Sequence, residues 1–263
     1  MKTKVQILVS TMNNQPELLE RLNVTTDAVV VNQCGRDARK EFEFRGHQVT
    51  WIDSSSRGLS VSRNIAVENA SADYIVLVDD DEVLNDGLEE QVAGAFRAHE
   101  EMDVIAWQIE GIERKFKDYA PDAHEITKMG SMKLSSAELT MKRSSITDNG
   151  IRFHEKFGSG AKYKMGEENI FLFSCYGKGL RAFYIPERLA RLHMEESTWF
   201  EGYNEKYFID RGATYYEMFG WLSVPMVIQF LLRKKALYRE TISAAKAFRM
   251  AMQGIRERKK DRR

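Results

Sequence analysis

The chain has 263 residues, of which 43% are hydrophobic and 30% are charged. This length suits one large domain or one domain with an appendage, and the composition is too apolar for a disordered protein. Lysine plus arginine number 39 and aspartate plus glutamate number 39, so the formal net charge is zero. The balance argues against a nucleic-acid-binding protein, which normally has a basic excess.

The cysteines and the first residues indicate in which cellular compartment the protein is expected. Cys34 and Cys175 are too few for a disulfide framework and do not match the spacing of a zinc site. The chain runs into the apolar segment 5–9 without the longer apolar stretch and cleavage site of a signal peptide. We therefore expect a cytoplasmic protein in a reducing compartment.

Short apolar strands alternate with helical segments in the first half of the chain. The pattern predicts strands at 5–10, 27–32, 48–52, 73–79 and 103–110, and helices at 16–22, 59–70 and 86–99. Strands that are apolar on both faces indicate an α/β fold, in which helices cover both faces of a mainly parallel sheet. Residues 113–149 resemble loops and short strands. From residue 200 the chain is mostly helical, with breaks expected at Gly212, Gly220 and Pro225.

The charge is distributed unevenly along the chain. Residues 233–263 include twelve basic and three acidic residues, a net charge of +9, so residues 1–232 carry −9. A basic, partly amphipathic segment is typical of contact with an anionic surface, most often a membrane leaflet. The alternative is a solvated helical tail that docks on the acidic body. The apolar run 221–232 is well short of the ~20 residues of a membrane-spanning helix.

Polar residues follow the predicted strands, and parallel sheets bind ligands at the carboxyl ends of their strands. The most polar of these ends is the run of four acids at 79–82. Adjacent carboxylates repel one another, and a divalent cation relieves the repulsion. Oxygen ligands suit Mg²⁺ or Mn²⁺ better than zinc. The alternative is an N-cap cluster for the next helix, which needs fewer acids.

Four motifs resemble those of family 2 glycosyltransferases with the GT-A fold, in order and spacing. They are the first strand ending at Ser10 and Thr11, Gly-Leu-Ser-Val-Ser-Arg-Asn at 58–64, Asp-Asp-Asp-Glu at 79–82, and Gly-Glu-Glu-Asn-Ile-Phe at 166–171. The resemblance covers about residues 3–215 and points to bacterial capsule and exopolysaccharide enzymes. It implies a GT-A domain at 1–215, divided into a nucleotide-binding half (about 1–112) and an acceptor and catalytic half (about 113–215). A helical basic extension at 216–263 follows.

The resemblance assigns the donor and the metal to the strand ends. The residues that would bind the nucleotide sugar are Ser10, Thr11, Asn32, Gln33, Arg63, Asp79 and Asp80. Asn32 and Gln33 depart from the family, whose members usually have Asp-Asp-Gly-Ser at this place. The divalent cation, Mn²⁺ or Mg²⁺, would be held by Asp81, Asp79 and His193.

The resemblance also assigns the catalytic groups. Glu168 would be the general base and Glu167 its supporting neighbour, and the alternative is an acid-rich helix N-terminus without a catalytic role. His193, Lys206 and Arg211 would reach the donor diphosphate. The alternatives are a structural histidine and two ordinary cations on a helix surface.

Together these assignments imply an inverting, metal-dependent glycosyltransferase of the hexosyltransferase type. It would move a sugar from a nucleotide sugar, a UDP-sugar, to a hydroxyl of a glycan or lipid-linked acceptor in surface polysaccharide synthesis. The basic segment 233–263 would suit a peripheral place at the inner face of the cell membrane. One alternative is a sugar nucleotidyltransferase, although the first strand lacks that class's glycine-rich loop. Another is a non-catalytic, membrane-associated assembly factor that keeps a nucleotide pocket.

Overall fold

The computed structural model describes residues 4–194, 200 and 202–262. Its strands are β1 (Val5–Thr11), β2 (Asp27–Gln33), β3 (Ala38–Phe44), β4 (His47–Ser54), β5 (Tyr74–Asp79), β6 (Glu82–Leu84), β7 (Val104–Gly111), β8 (His124–Ile126), β9 (Leu139–Lys142) and β10 (Ala182–Leu192). Its helices are α1 (Leu18–Arg21), α2 (Leu59–Asn69), α3 (Leu88–Ala98), α4 (Arg143–Thr147), α5 (Glu167–Gly177), α6 (Glu205–Phe219), α7 (Ser223–Arg233), α8 (Lys235–Tyr238) and α9 (Ala244–Asp261). Short 3₁₀ helices lie at Gly130–Lys133, Ser136–Glu138 and Gly220–Leu222.

One mixed sheet contains all of these strands, in the order β3-β4-β2-β1-β5-β9-β7-β10-β6, and β8 pairs with β10. Strands β4, β2, β1 and β5 are parallel neighbours, as are β7 and β10. Strand β9 joins these two parts, because it pairs in antiparallel fashion with both β5 and β7. The carboxyl ends of the first four strands therefore meet at one edge of the sheet.

Two apolar layers pack on opposite faces of the sheet, because successive side chains of a strand point to opposite sides. In β1, Ile7 and Val9 pack in the layer that includes α1 and α3. Leu8 packs in the layer that includes α2, α4 and α5. The predicted α/β fold with helices on both faces is confirmed.

Strand β3 was not predicted from the sequence. Most of its side chains are exposed, and charged residues occur on both faces of the strand. It pairs only with β4, through a turn at Arg45 and Gly46 that have φ angles of 51° and 83°. Such a two-residue turn with positive φ is favoured in hairpins. An edge strand of this kind lacks the apolar run on which the prediction of the other strands relied.

Helices α6 and α9 cross at backbone contact distance. A Cβ atom added at Gly212 would lie 2.0 Å from the carbonyl oxygen of Ala251, and one added at Gly254 would lie 1.9 Å from that of Ile209. The expected helix break at Gly212 is therefore wrong. Gly212 lies inside α6, where the absence of a side chain lets α9 approach, whereas Pro225 occupies the first turn of α7, where proline is tolerated.

Ion pairs also fix α9 to the body of the protein. Arg258 is buried and donates from Nε to Glu217 Oε2 on α6 at 2.6 Å. Arg262 pairs with the same glutamate, and Lys162 Nζ lies 2.7 Å from Asp261. Part of the basic charge of 233–263 is thus neutralised within the protein. Across the described residues, the helices are too short or too polar for any of them to cross a membrane.

Substitution of Gly212 by alanine should destabilise the protein, because the new methyl group would overlap the backbone of α9. Overpacking of this kind lowers the free energy of unfolding by about 1–3 kcal/mol. Gly177, at the end of α5, has open space at the Cβ position, so Gly177→Ala is the matched control and should be neutral or slightly stabilising. Urea unfolding curves measure both effects. Equal stability of the two variants would contradict the packing described here.

Candidate active site

The polar ends of β1, β2, β4 and β5 lie side by side at one edge of the sheet. Ser10, Thr11, Asn32 and Gln33 are all buried there. Ser62 Oγ, on α2, lies 2.9 Å from Ser10 Oγ and donates to it. The main-chain N–H of Gly58 donates to Gln33 Oε1 at 2.7 Å. These two bonds fix the start of α2 against the strand ends.

Asp53, at the end of β4, is the buried acid that organises the end of β2. Its carboxylate accepts hydrogen bonds from Asn32 Nδ2 at 2.9 Å, from Trp51 Nε1 at 2.9 Å and from Arg36 Nε at 2.8 Å. Burial alone would raise the pKa of Asp53, but these donors outweigh it and lower the pKa to about 2. Asp53 lies at one of the polar strand ends that the sequence indicates, but no role in the site was predicted for it, because Asn32 and Arg36 reach it from outside β4.

Asp80 is bound to the end of β1. Thr11 Oγ1 donates to Asp80 Oδ2 at 2.5 Å, and Asn14 Nδ2 donates to the same oxygen at 3.1 Å. Asn14 also donates its main-chain N–H to Asn32 Oδ1 at 3.0 Å. The segment after β1 therefore links three of the predicted donor-binding residues, and Asn14 is a further member of the cluster.

Arg63, on α2, is the buried centre of the site, with 1% of its surface exposed. One guanidinium nitrogen donates to the two carboxylate oxygens of Asp79 at 3.0 and 3.1 Å and to Ser136 Oγ at 2.7 Å. The other donates to Glu167 Oε1 at 3.1 Å. Burial opposes the charge of Arg63, but Asp79 and Glu167 outweigh it and raise the pKa of the guanidinium. One cation thus joins the acidic strand end to the start of α5.

Asp81 and Glu82 carry the electrostatic strain of the acidic run. Burial raises the pKa of Asp81 to about 7, and the neighbouring Asp79 and Asp80 raise it as well. Glu82 is 2% exposed, and burial together with Asp79 raises its pKa well above the ordinary value. Within the described part of the chain, Asp81 Oδ1 and Glu82 Oε2 are buried without a hydrogen-bond partner.

These unpaired oxygens fit a cation that is bound only together with a ligand. No group of three or more His, Cys, Asp or Glu side chains is arranged to hold a metal by itself, as far as the structure describes the chain. Mg²⁺ commonly takes one or two protein carboxylates and completes its shell with water and substrate phosphates. Asp81 Oδ1 can supply one such ligand, and the partly exposed Asp79 lies beside it.

His193 lies next to Asp81 through a main-chain contact, and its predicted role at the metal stays a prediction. Strand β10 pairs with β6, and the main-chain N–H of His193 donates to the carbonyl oxygen of Asp81 at 2.9 Å. Its ring Nδ1 lies 2.8 Å from Glu113 Oε1, and the main-chain N–H of Met194 donates to Glu113 Oε2 at 2.7 Å. These hydrogen bonds lower the pKa of Glu113. Glu113 orients the exposed imidazole and was not found from the sequence.

The first two residues of α5 differ in environment. Glu167 is buried, pairs with Arg63 and packs on Gly158, where an added Cβ would lie 3.1 Å from its carboxyl carbon. Glu168 is half-buried, and burial together with the charge of Glu167 raises its pKa to about 8. A carboxyl with a raised pKa suits proton transfer, whereas Glu167 is committed to the ion pair.

Lys206 and Arg211 lie on α6 with different partners. Lys206 pairs with the buried Asp210 and donates to the carbonyl oxygen of Lys162 at 2.8 Å. The guanidinium of Arg211 lies 5.2, 5.7 and 5.3 Å from the rings of Tyr207, Tyr215 and Phe230. Burial lowers the pKa of Arg211, but Tyr207, Tyr215 and Glu168 outweigh it and raise the pKa. Arg211 is therefore within electrostatic range of Glu168, and the diphosphate contact of both cations stays a prediction.

The family follows from a comparison with known proteins. The model for "Glycosyl transferase family 2" matches residues 7–173, which include the acidic strand end and both glutamates. The chain belongs to glycosyl transferase family 2. The resemblance inferred from the four motifs is confirmed.

Two relatives of known name match parts of the chain. Poly(ribitol-phosphate) beta-N-acetylglucosaminyltransferase TarS of Staphylococcus aureus is 24% identical over 195 residues, which are 66% of this chain and 32% of TarS. Glycosyltransferase GlyA of Streptococcus pneumoniae is 37% identical over 60 residues, which are 21% of this chain and 9% of GlyA. The chain thus spans about a third or less of the length of these curated relatives.

Crystal structures of S. aureus TarS share the fold. TarS 1-349 matches with a TM-score of 0.66 at 15% identity, over 97% of this chain and 82% of that one. TarS 1-349 in complex with UDP-GlcNAc matches with a TM-score of 0.63 at 18% identity and the same coverage. The expected GT-A fold with a helical C-terminal region is confirmed.

Substitution of Arg63 by methionine should destabilise the protein strongly, because it leaves Asp79 and Glu167 without their shared cation. Removal of one partner from a buried ion pair costs about 3–5 kcal/mol of unfolding free energy. Arg36→Met is the control, since the Arg36 side chain is 70% exposed and ion pairs of exposed side chains contribute little to stability. Denaturant titration measures both. A loss below 1 kcal/mol for Arg63→Met would refute its structural role.

Proposed function

We propose that the chain is an inverting, metal-dependent glycosyltransferase that moves a sugar from a UDP-sugar to a hydroxyl of a glycan or lipid-linked acceptor. The observation that carries the proposal is the Arg63 bridge, which holds the acidic strand end and the Glu167–Glu168 pair in one site. Family membership supports glycosyl transfer. The TarS structures with UDP and with UDP-GlcNAc support a UDP donor. We assign this transfer to surface polysaccharide synthesis, and the name of TarS, a poly(ribitol-phosphate) beta-N-acetylglucosaminyltransferase, supports a polymer as acceptor.

The donor would lie across the strand ends. The hydrogen-bonded side chains of Thr11, Asn14 and Asn32 form a polar floor there, and side-chain amides can both donate to and accept from a nucleobase edge. Asp79 and Asp80 would face the ribose and the sugar. Because Asp53, Gln33 and Arg63 already have protein partners, they would set the shape of this floor.

Asp81 would bind the divalent cation through its unpaired Oδ1, with Asp79 and His193 beside it. When bound, Mn²⁺ or Mg²⁺ acts as a Lewis acid that stabilises negative charge on the leaving diphosphate. The protein's own contribution is to hold carboxylates close together before the donor arrives. The raised pKa of Asp81 is the cost of that arrangement.

Glu168 would accept the proton of the attacking hydroxyl. The acceptor oxygen forms a bond to the anomeric carbon while the bond from that carbon to the diphosphate oxygen breaks, and the proton moves to Glu168. Attack from the face opposite the leaving group inverts the anomeric configuration. Glu167 would keep Arg63 in place and so hold α5 against the donor side.

We also propose that the protein works in the cytoplasm, at the inner face of the cell membrane. The excess of positive charge in residues 233–263 supports this address, since anionic lipids attract basic segments. A lipid-linked acceptor would be reached from the same surface.

Substitution of Asp81 by alanine should abolish metal-dependent donor binding and leave the fold intact, because it removes one acid from a repelling cluster. Calorimetric titration of UDP with and without MnCl₂ measures the effect, and unfolding curves check the fold. Asp122→Ala, which changes an exposed acid in a loop, is the control. Full manganese-dependent affinity in Asp81→Ala would show that the metal assignment is wrong.

Substitution of Glu168 by glutamine should lower the turnover number by about 10²–10⁴, since the amide cannot accept a proton. UDP affinity should stay within a few-fold of wild type. Glu167→Gln keeps a hydrogen-bond acceptor for Arg63 and should lose less. A panel of UDP-sugars is first screened for hydrolysis, with water as the acceptor. Release of UDP from the best of these substrates then measures the rates. If Glu167→Gln is the more damaging change, the assignment is off by one residue. Absence of turnover in wild type would favour the assembly factor.

Turnover should rise with pH through about 8 and then level off. Glu168 must be deprotonated to act as a base, and its pKa is raised to about 8, so the active fraction grows as pH increases. Measurement of the turnover number between about pH 6 and pH 10 tests this. The residual activity of Glu168→Gln should lack the rise. An identical profile in that variant would assign the titration to another group.

A further inference from the structure

An apolar stripe runs along the outer side of α7. It consists of Trp221, Pro225, Ile228 and Leu232, and Trp221 is 85% and Leu232 72% exposed. Trp221 lies on the 3₁₀ helix Gly220–Leu222 just before α7, and the intervals of three and four residues place Pro225, Ile228 and Leu232 on one face of α7. We use the name α7 stripe for these four residues. Single exposed apolar residues are common on protein surfaces, but a contiguous stripe indicates a contact surface.

The opposite face of α7 is already occupied. Ser223, Val227 and Leu231, which are four residues apart, are buried against the layer formed with α6 and α9. The helix is therefore fixed to the body by its inner face. Its outer face is held in a defined position, so an apolar surface there is a permanent feature of the folded chain.

Basic residues continue the α7 stripe at its carboxyl end. Arg233, Lys234 and Lys235 are exposed, and no carboxylate of the described residues lies within 4.0 Å of their charged groups. Leu237, 54% exposed, follows them. An apolar face followed by unpaired cations is the pattern of helices that lie in the headgroup layer of an anionic membrane.

The inner side of α7 borders the proposed catalytic groups. Phe230 of α7 lies 5.3 Å from the guanidinium of Arg211, and the charge of Glu168 acts on the same guanidinium. A bilayer against the outer side of α7 would therefore be separated from the Arg211 side chain by α7.

We propose that the α7 stripe and the cations that follow it bind the surface of an anionic bilayer, with α7 parallel to the membrane plane. The exposed cations beside the stripe complement an anionic surface, which favours a bilayer over a second copy of the chain, because a second copy would bring an equally basic patch to the contact. The inference rests on the proposed membrane address but not on the transferase chemistry. It also centres the contact on residues 221–237, where exposed apolar side chains adjoin the cations, whereas Lys246 and Arg258 of α9 and the following Arg262 pair with acids of α6.

Co-sedimentation of the full chain with vesicles tests the proposal. Vesicles of phosphatidylcholine with about one third phosphatidylglycerol should bind the protein, and vesicles of phosphatidylcholine alone should bind it weakly. The double variant Ile228→Ser with Leu232→Ser should bind the anionic vesicles at least ten-fold more weakly. The matched control is Ile112→Ser with Met129→Ser, which changes two exposed apolar residues elsewhere and should stay within two-fold of wild type.

A second pair of variants separates the contribution of the cations that follow α7 to vesicle binding from that of the cations of α9. Lys234→Ser with Lys235→Ser should weaken binding at least ten-fold, and added salt should reduce the difference from wild type. Lys259→Ser with Lys260→Ser, near the end of α9, should have an effect of less than three-fold. A larger loss in the α9 variant would overturn the assignment to α7.

Three further results would overturn the proposal. They are equal sedimentation of wild type and Ile228→Ser with Leu232→Ser, no binding of wild type to anionic vesicles, and a concentration-dependent dimer in light scattering that this variant abolishes. Turnover of a UDP-sugar without vesicles, measured in parallel, separates this inference from the proposed function. Vesicle binding without turnover would contradict the proposed transferase activity and support membrane binding by the α7 stripe. Turnover without vesicle binding would support the transferase activity and contradict membrane binding by the α7 stripe.

Discussion

The site depends on a buried cation that needs two carboxylates. Arg63 is almost inaccessible to water, so its charge is tolerated only because Asp79 and Glu167 lie within hydrogen-bond distance of it. These acids belong to the end of β5 and the start of α5, which are far apart in the sequence. Satisfying one guanidinium thus fixes the distance between the proposed donor and base sides. It also leaves Asp81, Glu82 and Glu168 with raised pKa values.

The C-terminal helices help to hold the start of α5 in place. A Cβ atom added at Gly166, which precedes α5, would lie 2.4 Å from the Thr214 side chain of α6, and α6 in turn contacts α9 at Gly212. Close packing of this kind transmits position from one helix to the next. The helices after residue 200 therefore act as a scaffold for the glutamates at the start of α5. They also present the α7 stripe on the outside of the molecule.

Local sequence patterns predicted the parts of the site that lie within single elements. The apolar runs of β1, β2 and β5 end at polar residues, and that junction is visible without a structure. The acidic run and the Gly-Glu-Glu segment were visible in the same way. Groups defined by long-range contacts were not predicted: Glu113 meets a histidine 80 residues away, and Asp53 owes its low pKa to Asn32, Trp51 and Arg36. Gly212 was misjudged as a helix break, because the helix that fills the space beside it is distant in sequence.

The most direct test of the central claim is the steady-state kinetics of Arg63→Lys. Lysine keeps the charge, but its single ammonium cannot reproduce the planar fork that reaches Asp79 and Glu167 together. The KM for the UDP-sugar should rise and the turnover number should fall, each by at least about ten-fold, because misplacement by about 1 Å lowers catalysis by around 10². Circular dichroism should show a native fold. A folded Arg63→Lys variant with wild-type KM and turnover number would contradict the claim that this cation couples the two sides of the site.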